Sequence, residues 1–128
     1  LDRRSSPLDP VLRSLVTVRV SQVNWCAFCV NINTMTLASR TGSTDKVQAL
    51  ENWAQSDLFD VSERLALEYA EAMTYSDRQV TDDLMQRLKS VFDDDTIVEL
   101  TGLVAFQNLS SKFNSALDVP AQGFCKQP

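Results

Sequence analysis

Apolar residues recur along this chain at helical rather than strand spacing. Val11, Leu15 and Val18 stand at i, i+4 and i+7, predicting the buried face of a first helix over residues 10–20. Asp9 is its natural N-cap, and Pro10 falls at the first helical position, where a missing N–H removes no bond. Leu8, just before the cap, is a candidate hydrophobic staple. Residues 21–24 break the pattern and offer Asn24 as the cap of a second helix over 25–40, with Gly42 as its stop signal. A third helix opens at Ser43 or Thr44 and runs through Val47, Leu50 and Trp53. Asp60 with Glu63 has capping-box spacing and starts a fourth, which carries Leu65, Leu67, Ala70 and Met73 and an Arg64/Glu68 pair at i, i+4. A fifth begins near Thr81 and continues through Leu84, Leu88 and Val91. Asp93, Asp94 and Asp95 then precede the longest helix, over 95–117. Three adjacent carboxylates suit either a cation or the positive end of a helix dipole, and their position before a long helix favours the dipole. The tail turns at Pro120 and Gly123 and leaves Cys125 in irregular chain. No segment reads as a strand. The expectation is all-α, about six helices, in one domain over residues 1–128.

Composition narrows the class. With three Gly, four Pro and 44% apolar residues, the chain suits a helical core rather than a turn-rich β protein or disorder. Its net charge of −5 would repel a phosphate backbone, so nucleic acid is not an expected partner. The apolar run 100–106 is far too short to cross a bilayer, so no membrane partner is expected either. Residue 1 is Leu and a polar stretch follows, so an upstream N-terminal segment is expected to be missing, along with any targeting sequence it held. Three cysteines make an odd set, unlike a secreted disulfide framework, and point to a reducing cytoplasm. The sequon Asn108-Leu109-Ser110 falls inside a predicted helix and implies nothing.

The chain contains no histidine. That removes Ser/His/Asp and Cys/His nucleophile pairs, the zinc-protease helix and any imidazole acid or base. No Gly-rich phosphate loop is present, and no cofactor is expected. What remains is Cys26-Ala27-Phe28-Cys29 at a predicted helix start. Three helical residues apart, the two Cα atoms lie about 5–6 Å from each other, within disulfide range. Free N–H groups and the helix dipole favour a thiolate there, with a pKa of about 3.5–7.5 in such settings. A thiolate attacks a peroxide or a disulfide, and a neighbouring thiol resolves the intermediate. The alternatives are two inert core cysteines, or zinc. Zinc needs four ligands and only Cys125 remains to add, so no metal is expected. Trp25, Trp53 and Phe28 either shape a pocket or serve core and subunit contacts.

The stretch Val18-Arg19-Val20-Ser21-Gln22-Val23-Asn24-Trp25-Cys26-Ala27-Phe28-Cys29 resembles the dithiol motif of alkyl hydroperoxidase D-like proteins, within the carboxymuconolactone decarboxylase superfamily. Glu63 to Thr74 is similar to the helix that follows in small members, and Leu103 to Leu117 with Val119-Pro120 to their closing helix and tail. The resemblance runs over roughly residues 8–124. It implies an all-helical fold assembled as a homo-oligomer, commonly a trimer or hexamer. It implies that Cys29 attacks a hydroperoxide and Cys26 resolves it, with a thiol reductant protein restoring both. Redox members also carry a histidine four residues after the second cysteine and a glutamate twelve residues before the first. Here Asn33 and Ser14 stand in those places. Asn33 keeps the helical face and can hydrogen-bond a thiolate, but it cannot carry a proton near neutral pH. Glu68 and Glu71 are candidate replacement acids, or else solvated surface charges.

Two functions follow. One is a peroxidase or disulfide reductase acting on a hydroperoxide or small disulfide through Cys29 and Cys26. The other is a non-catalytic oligomeric or ligand-binding relative that keeps the fold without the relay.

Overall fold

The structure, a computed structural model, describes residues 7–121. Among them the chain forms six α-helices and no strand: α1 (Pro10–Val23), α2 (Ala27–Thr41), α3 (Asp45–Ala49), α4 (Val61–Thr74), α5 (Asp82–Lys89) and α6 (Asp94–Ala116). A 3-10 segment, Leu50–Gln55, continues α3. The all-α expectation therefore holds.

The central element is α1, which packs against α2, α4 and α6. Leu12, Val16 and Val20 on one side join Leu65, Tyr69, Leu88, Leu100 and Val104 in the larger apolar cluster. On the other side Leu15 and Val18 meet Leu37, Leu50, Phe59 and Leu67. The stripe Val11-Leu15-Val18 is thus only one of two buried faces. A helix covered on several sides buries most of its circumference, which blurs single-face periodicity. Leu8 packs with the Leu12 side rather than toward Val11. Each fully buried Leu or Val stabilises the fold by about 1.5–3 kcal/mol.

Helix ends follow local chemistry. The Asp9 carboxylate accepts from the Val11 and Leu12 amides at 3.0 and 3.1 Å. Asp60 and Glu63 form the reciprocal capping box, at 2.8 and 2.9 Å. Thr81 caps α5. Asp93 caps α6 through the Thr96 amide, with Asp94 and Asp95 in the first turn, as the dipole reading expects. Gly42 closes α2 at φ +72°, where a Cβ would be strained.

Three expectations do not hold. The third helix ends at Ala49, where the chain tightens into the 3-10 segment, and that segment is itself kinked at Asn52 (φ −120°, ψ 36°). The fifth stops at Lys89, leaving Val91 outside it. Arg64 and Glu68 do not pair. Arg64 instead donates to the Trp53, Ala54 and Ser56 carbonyls, tying the 3-10 segment to α4, while Glu68 binds Arg87. Gly123 and Cys125 lie outside the described residues. Among those described, no helix is long and apolar enough to cross a membrane.

Candidate active site

The candidate site is built where α1 stops and α2 starts. Asn24 was expected to cap α2, but it is the C-cap of α1. Its side chain points to α6, donating to Asn108 and Ser111 and accepting from Lys112. The Trp25 amide bonds the Gln22 carbonyl and the Cys26 amide bonds the Ser21 carbonyl, both at 3.1 Å. This is the paired-bond ending of a Schellman motif, and it requires a left-handed residue at Trp25, whose φ is +57°. Glycine normally fills that position, so the backbone of Trp25 is strained.

That turn delivers Cys26 directly to the N-cap of α2. Helix α2 therefore begins two residues later than its sequence pattern implies. The Cys26 sulfur takes the place of a capping oxygen and accepts the Cys29 amide at 3.1 Å. Both cysteines are free thiols and buried, 1% and 2% exposed. Burial, reinforced by the Cys29 side chain, pushes the Cys26 thiol up to about 11, against the opposing pull of the Cys29 amide. The Cys26 sulfur is not sealed in hydrocarbon. A cleft of about 420 Å³ lies against Cys26, walled by Trp25, Ala27, Val30, Asn31 and Thr34. Trp25 is 88% exposed there, so it forms the rim of this cleft rather than part of the core. The Cys29 sulfur faces α6 instead, 3.9 Å from Ser110 Oγ and 3.8 Å from Asn114 Nδ2.

The substituted relay positions share a different cavity. Ser14 and Asn33 both line a space of about 320 Å³ with Arg13, Thr17, Arg40 and Gln107. Within it Asn33 Nδ2 donates to Ser21 Oγ at 3.1 Å and to Gln107 Oε1 at 3.5 Å. Ser14 Oγ accepts from Arg40 at 2.7 Å. The bond that Asn33 is able to offer a cysteine thiolate is therefore not made, because Ser21 and Gln107 hold its amide.

Glu68 and Glu71 are engaged away from the dithiol. Arg87 grips Glu68 with two bonds, at 2.9 and 2.7 Å. Glu71 accepts from Arg19, Arg78 and Trp53 Nε1, each at 2.8 Å. Burial opposes its charge, but the Trp53, Arg19 and Arg78 bonds prevail and hold it below the usual carboxylate range. Trp53 is thus committed to this ion cluster. Among the described residues no three His, Cys, Asp or Glu side chains gather as a metal site.

Sequence reasoning missed Ser110 and Asn114. They stand at i, i+4 among several other polar residues of α6, so nothing local singles them out, and they become legible only once α6 is seen to pack on α2.

The carboxymuconolactone decarboxylase family model matches residues 2–72. The uncharacterized protein YnjA of Escherichia coli K12 is 54% identical over the whole chain, which covers 70% of that relative. Among solved structures, a peroxidase-related protein from Silicibacter sp. TM1040 superposes with TM-score 0.86 at 23% identity, covering 96% of this chain and 65% of its own. A protein of unknown function from Agrobacterium tumefaciens, for which an AhpD-type antioxidant defence role has been suggested, gives TM-score 0.83 at 24% identity, covering 92% of this chain and 82% of its own. With its helical order, its dithiol at the α1–α2 junction and a family match over more than half its length, this chain belongs to the carboxymuconolactone decarboxylase family and has an AhpD-like fold.

Proposed function

We propose that the chain is a thiol-dependent peroxidase or disulfide reductase, with Cys29 as the attacking thiol and Cys26 as the resolving one. The observation that carries this reading is the Cys29 amide bonded to the Cys26 sulfur, which brings two free thiols together at one helix start. Family membership and the peroxidase-related and AhpD-type neighbours point the same way. In the peroxidase step the Cys29 thiolate attacks the terminal hydroperoxide oxygen. An S–O bond forms, the O–O bond breaks, and the alkoxide leaves as alcohol after taking a proton from water. The Cys26 thiol then attacks the sulfenic sulfur. An S–S bond forms, and the thiol proton departs with the hydroxyl as water. A thiol reductant protein of a reducing cytoplasm returns both sulfurs to thiols, reaching Cys26 through the cleft beside Trp25.

The same reading includes a homo-oligomer. Phe106, Leu109 and Phe113 form an exposed apolar face on α6, each more than 60% exposed, and such faces mark association surfaces.

A non-catalytic scaffold is the second reading. The near-complete burial of both thiols favours it, as does the diversion of Ser14 and Asn33 to other partners. One experiment divides the two: dithiol-dependent loss of an organic hydroperoxide by the wild type and by Cys29→Ser, with sulfenic acid trapping on Cys26→Ser. Turnover that depends on Cys29, with a trapped adduct on that residue, supports the enzyme. A folded Cys26→Ser protein that yields no adduct, or Cys29→Ser turnover equal to wild type, overturns it.

A further inference from the structure

The side chains expected to serve Cys29 are occupied elsewhere, and two others have taken their place around its sulfur. Asn114 and Ser110 sit one turn apart on α6. One N–H of the Asn114 amide is anchored on the Ser110 carbonyl at 2.8 Å. That anchor orients the group, whose Nδ2 lies 3.4 Å from Ser110 Oγ and 3.8 Å from Cys29 Sγ. Ser110 Oγ approaches the same sulfur at 3.9 Å. Both residues are half-buried, whereas Cys29 itself is 2% exposed. Across the seam between α2 and α6, Ser110 and Asn114 are therefore polar side chains that face this sulfur.

We propose that Ser110 and Asn114 are catalytic residues, a donor pair that stabilises the Cys29 thiolate in place of the missing proton relay. The proposal deepens the peroxidase reading and rests on it for the role of the pair in turnover. Each side chain offers a hydrogen to anionic sulfur. Neither is itself an acid or base near neutral pH, so the pair stabilises charge without storing a proton. As Cys29 attacks, negative charge moves from sulfur to the departing alkoxide. The Ser110 hydroxyl then donates to that oxygen, while water supplies the proton that completes the alcohol. Electrons pass from sulfur to oxygen, and Cys29 is left as the sulfenic acid.

The test uses the full chain carrying Cys26→Ser and Cys125→Ser, so that Cys29 is the one thiol to be alkylated. Its iodoacetamide rate is followed against pH. Asn114→Ala and Ser110→Ala should each move the midpoint of that profile upward, slowing alkylation at neutral pH roughly three- to tenfold. Asn114→Asp, which keeps the shape but puts a carboxylate beside the sulfur, should slow it further. Ser115→Ala, on the same helix, should leave the profile in place. If the alanine and aspartate variants fold, as judged by circular dichroism, and share the parent profile, the donor pair is wrong even where peroxide is still consumed. If the profiles shift but no hydroperoxide is consumed by the protein with both site cysteines intact, the thiolate cradle stands and the peroxidase reading falls.

Discussion

Because Cys26 is an N-cap, replacing it tests the backbone geometry of the site before any turnover is measured. In Cys26→Ala the Cys29 amide loses its acceptor at a buried helix start, which costs about 1–2 kcal/mol. Cys26→Ser restores an acceptor, with oxygen replacing sulfur, and should keep stability at neutral pH within about 0.5 kcal/mol of wild type. Alkali provides a second signature. The folded thiol is pushed up from its ordinary value of 9.0 to about 11. The folded state thus holds its proton more tightly. The resulting stability is fully present below the unfolded value and is lost as pH rises through the folded one. At about pH 10 the loss attributable to this thiol is about 1.4 kcal/mol, and above the folded value it approaches about 3 kcal/mol. Serine does not titrate there, so Cys26→Ser should lack this component. Urea unfolding under reductant, at about pH 7.5 and about pH 10, measures both effects, and other titrating groups cancel between variants. Parallel alkaline losses in wild type and Cys26→Ser would refute the raised thiol. Equal stability of the Ala and Ser variants at the lower pH would refute the cap.

Glu71→Ala removes the carboxylate that accepts from Arg19 Nε and Trp53 Nε1, and should destabilise by about 3 kcal/mol in urea unfolding. Because Glu71 is held below its ordinary range, its contribution is full above the unfolded carboxylate value of about 4.3 and is lost as pH falls through the folded value. Wild type should therefore lose more stability on acidification than Glu71→Gln, and equal losses would refute the linkage. Trp25→Gly should raise thermal stability by about 0.5–1 kcal/mol, since glycine accepts a positive φ and the lost indole is exposed. Destabilisation by that change would refute the backbone strain assigned to Trp25. Leu109→Asp with Phe113→Asp should leave the fold intact by circular dichroism and yield monomers in sedimentation. An unchanged sedimentation coefficient would remove the α6 face from any interface.

Most of the scaffold was legible because local chemistry marks helix ends. Asp9, Asp60, Thr81 and Gly42 each sit where their side chain or their permissive φ meets an unpaired backbone group. The α1–α2 junction was misread for the same kind of reason. Asparagine is a good N-cap, so Asn24 attracts that role, whereas the Schellman bonds that make it the C-cap of α1 and pass the N-cap to Cys26 depend on Trp25 taking a conformation its side chain disfavours. Nothing local announces that. The C-x-x-C pair was legible as chemistry, and the side chains facing its sulfurs were not. Asn33 and Cys29 lie on one helical face, but Ser21 and Gln107 reach the Asn33 amide from α1 and α6. Similarly, Glu71 reads as a surface acid until Arg19 and Trp53 are folded against it. Side-chain partners from distant segments carry no trace in local spacing.

Cys26 serves two helices at once: its amide completes the end of α1 and its sulfur opens α2. Proximity of the two thiols is therefore enforced by backbone bonds of elements that the core already fixes, and not by the relay side chains. That separates two requirements usually met together. Holding the sulfurs side by side needs only the junction, while setting the charge on Cys29 needs donors that any packed neighbour can provide. A chain that loses the relay's histidine and glutamate can thus keep an intact dithiol geometry. The chemistry that geometry supports is then decided by the surface of α6 that lies against the second sulfur.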